Sequence, residues 1–293
     1  MVLEAIVSSK ELMKHPLVML FISIIVSAAG LWIAYWTFPG SSSILGIAFV
    51  TIALVPLMHS IFVKEEAIEA ESDSWTPNFL ERHFTVVKIY AWFFIGLIIS
   101  YAFWYSFLPI MGLTDMRNQV FEEQENALGG IEKLKSRMTG NATLQGGPCG
   151  KDVGCWFQLV FYNNTFVMLL SVLFSFIYGA GAVFLIGWNA SVIGVVIGKE
   201  VIHSMAISGN FLQSFATGLY RGLGLLPHGL PEALGYFFGA IAGGIIGVAI
   251  IKEKHRTHEF AIIAKDALIT IVIALVLLFI GALIEAMIIV GSL

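Results

Sequence analysis

Long apolar runs separated by short polar connections dominate the pattern of the chain. A helix that crosses the hydrocarbon core of a bilayer needs about 20 mostly apolar residues. The turn signal PGSS at residues 39–42 separates two such runs and predicts that they form a helical hairpin. In total the pattern predicts seven transmembrane helices, at residues 17–38, 42–63, 85–112, 161–179, 182–206, 231–251 and 267–290.

Two further segments show a helical pattern without the length of a crossing. Residues 209–226 are apolar but short, and an extra crossing would move the basic loop at 252–258 to the other side of the membrane. We therefore expect a re-entrant or interfacial helix there, on the outer side. Between residues 113 and 156 a surface helix is predicted, which is either a lid on the membrane helices or a docking surface for an extracellular partner. Its apolar positions are Leu128, Ile131, Leu134 and Met138.

Composition indicates that lipid surrounds most of the chain. Of the 293 residues, 58% are hydrophobic and 12% are charged, whereas soluble domains carry about 25% charged residues. The net charge is -4 and no basic patch or RNA-binding motif occurs, so we expect no nucleic-acid partner. The predicted fold class is therefore all-α: a polytopic transmembrane helical bundle embedded in the lipid bilayer.

The basic residues and the two cysteines indicate the same orientation in the membrane. The loop at residues 252–258 is short and basic, and Lys10 and Lys14 precede the first apolar run, so the positive-inside rule places both in the cytoplasm. Seven crossings then put Cys149 and Cys155 outside. These two cysteines flank a short loop, which predicts a disulfide in an oxidising compartment. We expect a plasma-membrane protein with its N-terminus in the cytoplasm and its C-terminus outside.

These expectations divide the chain into three parts. Residues 1–112 hold three membrane helices and an acidic cytoplasmic loop, and residues 113–156 form an extracellular insert that contains the disulfide ring. Residues 157–293 hold four membrane helices and a broken Pro-His-Gly segment. Within the insert, Asn141 begins an Asn-Ala-Thr sequon and is the candidate glycosylation site.

Glycine recurs every fourth residue along the sixth predicted helix and therefore lies on one helical face. Such a smooth face lets another helix approach closely in lipid. The spacing leaves open whether that neighbour belongs to the same chain or to a second copy. The predicted packing glycines are Gly235, Gly239, Gly243 and Gly247.

The stretch LLPHGLPEALG at residues 225–235 interrupts the apolar pattern with a histidine, a glutamate and two prolines. We interpret Pro227, His228 and Gly229 as a backbone break, and Pro231 as the first residue of the next helix, where its missing N–H costs nothing. Glu232 then lies in the first turn, where a carboxylate interacts favourably with the helix dipole. On this interpretation His228 precedes the helix and shares no face with Glu232, so no metal site is predicted.

Polar side chains of the second half gather on the outer side of the predicted topology. Because an unpaired intramembrane charge is costly, we expect Arg221 to pair with Glu232 or Glu285 and Lys199 to pair with a carboxylate. Asn189 lies deeper and is expected to bond across helices. The cluster is either a structural network or a hydrated cavity for an ion or small solute. Its predicted members are His228, Glu232, Glu285, Arg221, Lys199, Glu200, His203 and Asn189.

Motifs of enzymes do not occur in the chain. There is no G-x-S-x-G nucleophile elbow, no HExxH zinc motif and no phosphate-binding loop. We therefore expect no enzymatic activity and no cofactor.

Three stretches between about residues 157 and 290 resemble the stage II sporulation protein M family. They begin with FYNNTFVMLL, continue with LLPHGLPEALGYFFGAIAGGIIGVAI and end with the segment that contains ALIEA. The Pro-His-Gly-x-x-Glu piece is the most specific of them, although Pro231 departs from the family pattern. The positions that carry the resemblance are Asn163, Asn164, Asn189, Pro227, His228, Gly229, Glu232 and Glu285.

The resemblance implies a function as well as a fold. In spore-forming bacteria the namesake of the family is a membrane scaffold that holds peptidoglycan-degrading partners, and many relatives occur in archaea and in bacteria that form no spores. The implied function is a non-enzymatic scaffold or assembly protein with an unknown membrane or extracellular protein partner. We also expect a homodimer, and the predicted disulfide and the sequons favour an archaeal plasma membrane. The alternative is a channel or transporter with an outward-facing polar site around His228 and Glu232.

Overall fold

The computed structural model describes residues 7–71, 79–137, 149–178, 181–251 and 258–291, and this part of the chain is helical without a β-strand. Two single turns of 3-10 helix, Pro39–Ser41 and Leu223–Leu225, join neighbouring helices. The α-helices are α1 (Ser9–Lys14), α2 (Val18–Thr37), α3 (Ser42–Glu71), α4 (Phe79–Phe107), α5 (Thr114–Val120), α6 (Glu122–Arg137), α7 (Val153–Tyr178), α8 (Ala182–Ser208), α9 (Phe211–Gly222), α10 (Leu226–Ile251) and α11 (His258–Val290).

The prediction of seven crossings is confirmed within the described ranges. Seven segments are long and apolar enough to span a membrane: α2, α3, α4, α7, α8, α11 and the pair α9–α10. Their ends differ from the predicted ones. Helix α4 stops at Phe107 because Pro109 cannot continue a helix, and Gly112 follows with a φ of 77°. Helix α7 begins at Val153, well before the predicted residue 161.

Two groups of helices make up the bundle. In the first, α4 packs against α2 and α8, α3 packs against α2, and α9 packs against α8. In the second, α10 packs against both α7 and α11, which also contact each other. Helix α3 contacts α10 and α11 and so joins the two groups, with Phe62 lying against Gly244. The residues of α10 from Gly235 onward are almost all buried, so α10 is the central helix of the second group.

The glycine stripe of α10 packs on helices of the same chain. A Cβ on Gly239 would lie 3.0 Å from a side-chain atom of α7, and one on Gly247 would lie 2.6 Å from a backbone oxygen of α7. Gly243 is closer still, at 2.2 Å from a backbone oxygen of α7, whereas Gly235 faces Leu278 of α11 instead. The α7 neighbours of the three glycines are Met168, Val172 and Phe176. The stripe is therefore occupied within the chain.

The predicted surface helix of the insert is present as α6, and its first half packs on the membrane helices. Phe121, between α5 and α6, is buried edge-to-face against Tyr101 and Tyr105 of α4. Leu128 packs on the same core. Met138 and the sequon at Asn141 lie outside the described residues. We call the end of the bundle where this segment lies the insert end.

Gln124 of α6 holds the insert onto two membrane helices. Its Oε1 accepts a hydrogen bond of 2.8 Å from the hydroxyl of Ser43 at the start of α3. Its Nε2 donates to the hydroxyl of Ser191 in α8 over 3.1 Å. Because Gln124 is 1% exposed and both bonds are buried, breaking them would leave polar groups without partners. The first half of the insert therefore lies on the bundle as a fixed lid.

The predicted disulfide is confirmed between Cys149 and Cys155, whose Cα atoms are 5.4 Å apart. Cys149 lies just before α7, and Cys155 lies in the first turn of this helix. Trp156, which is buried, donates from its indole nitrogen to the carbonyl oxygen of Gly150 over 3.1 Å. The disulfide and this hydrogen bond tie the end of the insert to α7.

Helix α9 corresponds to the predicted re-entrant or interfacial helix. After a turn at Gly209, which has a φ of 65°, α9 runs back along α8, since Gly218 lies against Val201 and Gly222 lies against Ile197. One turn of 3-10 helix then leads directly into α10. Helices α9 and α10 together form one candidate membrane span, which starts at the insert end and is interrupted by this turn.

Candidate functional site

Helix α10 begins at Leu226, so the predicted backbone break at residues 227–229 is wrong. The interruption lies earlier, in the 3-10 turn at Leu223–Leu225. Pro227 lies in the first turn of α10, where free N–H groups are expected anyway, and only Pro231 removes a helical hydrogen bond. The helix can therefore include both prolines. Consequently His228 and Glu232, which are four residues apart, share one face, contrary to the prediction.

Helix α11 brings Glu285 to this face. Gly281 of α11 packs against the first turns of α10, where an added Cβ would lie 2.8 Å from Cγ of Glu232 and 3.1 Å from the carbonyl oxygen of His228. Glu285 follows one turn later on the same face of α11. Its carboxyl group lies within hydrogen-bonding reach of the carboxyl of Glu232.

Helix α7 contributes two asparagines to the same place. Tyr236, one turn beyond Glu232 on α10, donates from its hydroxyl to Oδ1 of Asn164 over 2.8 Å. The Nδ2 of Asn163 donates to the same oxygen over 3.3 Å. Asn164 and Tyr236 are each 6% exposed, and the Asn164 side chain also faces Glu232. We call His228, Glu232, Tyr236, Asn164 and Glu285 the acid cluster.

Several polar atoms of the acid cluster have no hydrogen-bond partner among the described residues. These buried atoms are Oε1 of Glu232, Nδ1 of His228 and Nδ2 of Asn164. No lysine or arginine of the described residues forms an ion pair with Glu232 or Glu285. The buried groups of the acid cluster are therefore only partly satisfied, which is unusual for a purely structural network.

The cations that we expected near Glu232 and Glu285 pair elsewhere. Arg221 of α9 binds Glu200 of α8 over 2.9 Å, so its predicted pairing with Glu232 or Glu285 is wrong. The reason is that α9 runs antiparallel along α8 and places Arg221 beside that helix. Lys199 does pair with a carboxylate, that of Glu125 in the lid, over 2.6 Å. These two pairs, Arg221–Glu200 and Lys199–Glu125, are called the ion-pair network below.

Glu125 lies in a set of polar contacts that the sequence did not indicate. The hydroxyl of Tyr105 donates to it, and Arg117 lies 5.1 Å from the centre of the Tyr105 ring. Burial opposes ionisation of Glu125, but hydrogen bonds from Lys199 and Tyr105 and the charges of Lys199 and Arg117 outweigh it and hold the pKa of Glu125 below its ordinary value. The lid is thus bound to α4 and α8 by an ionised carboxylate.

The remaining predicted members lie apart from both clusters. His203 is exposed near the end of α8. Asn189 donates to the carbonyl oxygen of Leu185, in its own helix, over 2.8 Å, so its predicted bond across helices is wrong. Gly229 has open space around it.

The acid cluster has neither the geometry of a metal site nor a place in the open grooves of the described residues. Among the described residues no group of three or more His, Cys, Asp or Glu side chains has a geometry that could hold a metal ion. Two open grooves occur in the described part, one of about 530 Å³ along residues 155–165 and one of about 470 Å³ where residues 14–21 meet Lys88 and Trp92. Neither groove is lined by a member of the acid cluster.

Comparison with known proteins agrees with the resemblance seen in the sequence. A family model described as Stage II sporulation protein M matches residues 89–288. The match begins within α4 and ends near the end of α11, so it includes the whole acid cluster and the lid. No curated protein and no solved structure matches the chain.

Proposed function

The chain belongs to the stage II sporulation protein M family, and on this basis we propose that it is a non-enzymatic membrane scaffold that holds a partner protein at the insert end. The family match and the seven apolar helices show that it is a multi-pass membrane protein of that family. The scaffold role is the proposal.

The observation that supports a scaffold most directly is the attachment of the lid. Gln124 bonds to α3 and α8, and Glu125 bonds to α4 and α8, so four neighbouring elements are fixed to one another at the insert end. A fixed surface suits a docking platform, because a preorganised surface loses little conformational entropy when a partner binds. A gate would instead need few buried bonds and a mobile attachment.

Photo-crosslinking in the native membrane tests this role. A photoreactive amino acid is placed at Asn126, an exposed position of the lid, or at Ile25, which is 67% exposed on α2. We expect a discrete protein adduct from Asn126 and none from Ile25, because the partner should contact the lid and not the membrane surface of α2. Adducts from neither position, or the same adducts from both, would contradict the proposal.

We further propose that the insert end faces outward, with the N-terminus in the cytoplasm of a cell whose plasma membrane holds the protein. The disulfide supports this orientation, since Cys149–Cys155 requires an oxidising compartment. In intact cells, an epitope tag at the C-terminus should be accessible to antibody, and one at the N-terminus should become accessible only after permeabilisation. The reverse pattern would overturn this orientation.

A homodimer through α7 is part of the same proposal. Helix α7 exposes Tyr162 to 77%, Phe166 to 54% and the amide of Asn163 within an apolar segment, and in a bilayer a polar group gains from a partner on another helix. A second copy would supply that partner. In nanodiscs Asn163→Leu should lower the dimer fraction, whereas Thr37→Val, which alters an exposed residue bonded to its own helix, should not.

A channel or transporter is the second candidate, and the incomplete hydrogen bonding of the acid cluster favours it. Broken helices with polar groups at membrane depth form the sites of several transporters. The test is ion flux into liposomes with wild type, His228→Ala and Glu232→Gln. Flux in wild type that both variants lose while remaining folded would reverse the ranking of the two functions.

A further inference from the structure

The contact between Glu232 and Glu285 lacks a hydrogen-bond donor. The two carboxyl groups lie within hydrogen-bonding reach of each other where α10 and α11 pack at Gly281. An ionised carboxylate can only accept hydrogen bonds, so two carboxylates cannot bond to each other unless one holds a proton.

Among the described residues no lysine or arginine forms an ion pair with either carboxyl group. The side chains that face the pair are Tyr236 from α10 and Asn164 from α7, and the imidazole of His228 lies one turn before Glu232 on α10. Lys199 and Arg221, the two cations expected beside this pair, are held in the ion-pair network. Two like charges in contact are strongly repulsive where little water screens them, and they would also be costly in a bilayer.

A second observation bears on the charge of the pair. The Nδ2 of Asn164 is buried without a partner, and its side chain faces Glu232. The Oδ1 of the same amide is already occupied by Tyr236 and Asn163, which fixes the amide with its donor end free. An amide donor in this position can form a hydrogen bond to an ionised carboxylate of one of the two glutamates. The other glutamate must then carry the proton.

We propose that Glu232 and Glu285 bind one proton between them, which makes the acid cluster a proton-binding site within the membrane domain. The pair then carries a single negative charge, which faces the amide of Asn164. Loss of the proton would place two charges across the close contact at Gly281 and push α10 and α11 apart. The site therefore couples proton concentration to the packing of these two helices. This inference does not depend on the scaffold role.

Infrared spectroscopy of the full-length protein in lipid nanodiscs tests the proposal. At neutral pH an exposed glutamate is ionised, so the carbonyl stretch of a protonated carboxylic acid reports a buried proton. We expect this band in wild type at neutral pH, with a shift in D₂O and a loss on alkalinisation. A wild-type spectrum without the band at neutral pH would overturn the proposal without any variant.

Three variants test whether the band arises from Glu232 and Glu285. Glu232→Gln and Glu285→Gln should each abolish it at neutral pH, because the remaining carboxylate then meets an amide donor instead of a second charge. Glu200→Gln, which alters the pair with Arg221, should leave it unchanged. A band that persists equally in both of the first two variants contradicts the assignment.

Addition of sodium chloride distinguishes a bound proton from a bound sodium ion. If the pair bound a sodium ion in place of the proton, added NaCl at constant pH would remove the band, and that result would overturn the proposal. A band that is insensitive to NaCl supports it. Neither result changes the crosslinking expected from Asn126, so failure of this inference and failure of the scaffold role can be told apart.

Discussion

The acid cluster and the ion-pair network each contain two glutamates and differ in the partners that these glutamates have. In the ion-pair network each carboxylate has a cation within 3 Å, at 2.6 Å for Lys199–Glu125 and 2.9 Å for Arg221–Glu200, and all four side chains keep contact with solvent. In the acid cluster two carboxyl groups face each other, with amide and phenol neighbours that are almost fully buried. The difference follows from helix direction, because α9 places Arg221 beside α8, whereas α10 and α11 place their two glutamates against each other.

The largest effect is expected where α11 approaches the acid cluster. Gly281→Ala should lower the free energy of unfolding by about 3 kcal/mol, since the new methyl group meets Glu232 and the backbone of His228. Reversible unfolding in mixed detergent micelles measures the change. Gly229→Ala is the matched control, because a Cβ there has nothing within 4 Å. Equal losses in both variants would show that α10 and α11 do not meet as described.

A smaller loss is expected from the buried amide. Asn164→Leu should cost about 2 kcal/mol, because it leaves the hydroxyl of Tyr236 buried without an acceptor. Adding Tyr236→Phe should recover part of that loss, since the hydroxyl is then absent. Unfolding of the two single variants and the double variant forms a double-mutant cycle. Strict additivity in this cycle would mean that the two side chains do not interact.

The pH dependence of the ion-pair network has a definite sign. Because the pKa of Glu125 is lowered in the folded protein, this carboxylate adds stability above its unfolded pKa of about 4.3, and the contribution is lost as the pH falls through the folded value. The effect should stay below about 1 kcal/mol, since the pair is partly exposed. Melting temperatures measured on acidification should fall less in Lys199→Met than in wild type. The same fall in both would exclude this pairing.

The smallest effect is expected at the other exposed pair. Glu200→Gln should change the free energy of unfolding by less than about 0.5 kcal/mol, because both partners are about half exposed. Added salt should reduce the difference further. A loss of several kcal/mol, or a loss that salt does not reduce, would remove the contrast between the two clusters.

The crossings could be predicted from the sequence because each depends on local hydrophobicity. The helix at residues 182–206 could be predicted from its own apolar residues without knowledge of their tertiary contacts, and α8 begins at Ala182 as predicted. The start of α10 could not be predicted in this way. Pro227 and Pro231 locally favour a break, but both lie near the helix start, where few backbone hydrogen bonds are lost.

Side-chain partners were predicted less well, because they depend on helix direction and register. The helix at residues 209–226 was predicted, but not the register in which α9 runs back along α8, and this register decides that Arg221 meets Glu200. Tyr236 could have been recognised by its spacing of four residues from Glu232, since both lie in the helix predicted at residues 231–251, whereas His228 joins their face only because α10 begins at Leu226. Its bond to Asn164 also requires the close approach of α7, which the glycines of α10 permit.

The central claim, that α10 and α11 bring Glu232 and Glu285 into contact, is tested most directly by thiol crosslinking. Glu232→Cys and Glu285→Cys are combined in one chain, treated with a short bifunctional thiol reagent and cleaved at a protease site introduced into residues 252–257. We predict that the two fragments remain joined, and that a control with Glu200→Cys and Glu285→Cys separates, since Glu200 lies beside Arg221 instead. Fragments that separate in the first variant, or remain joined equally in both, would contradict the account.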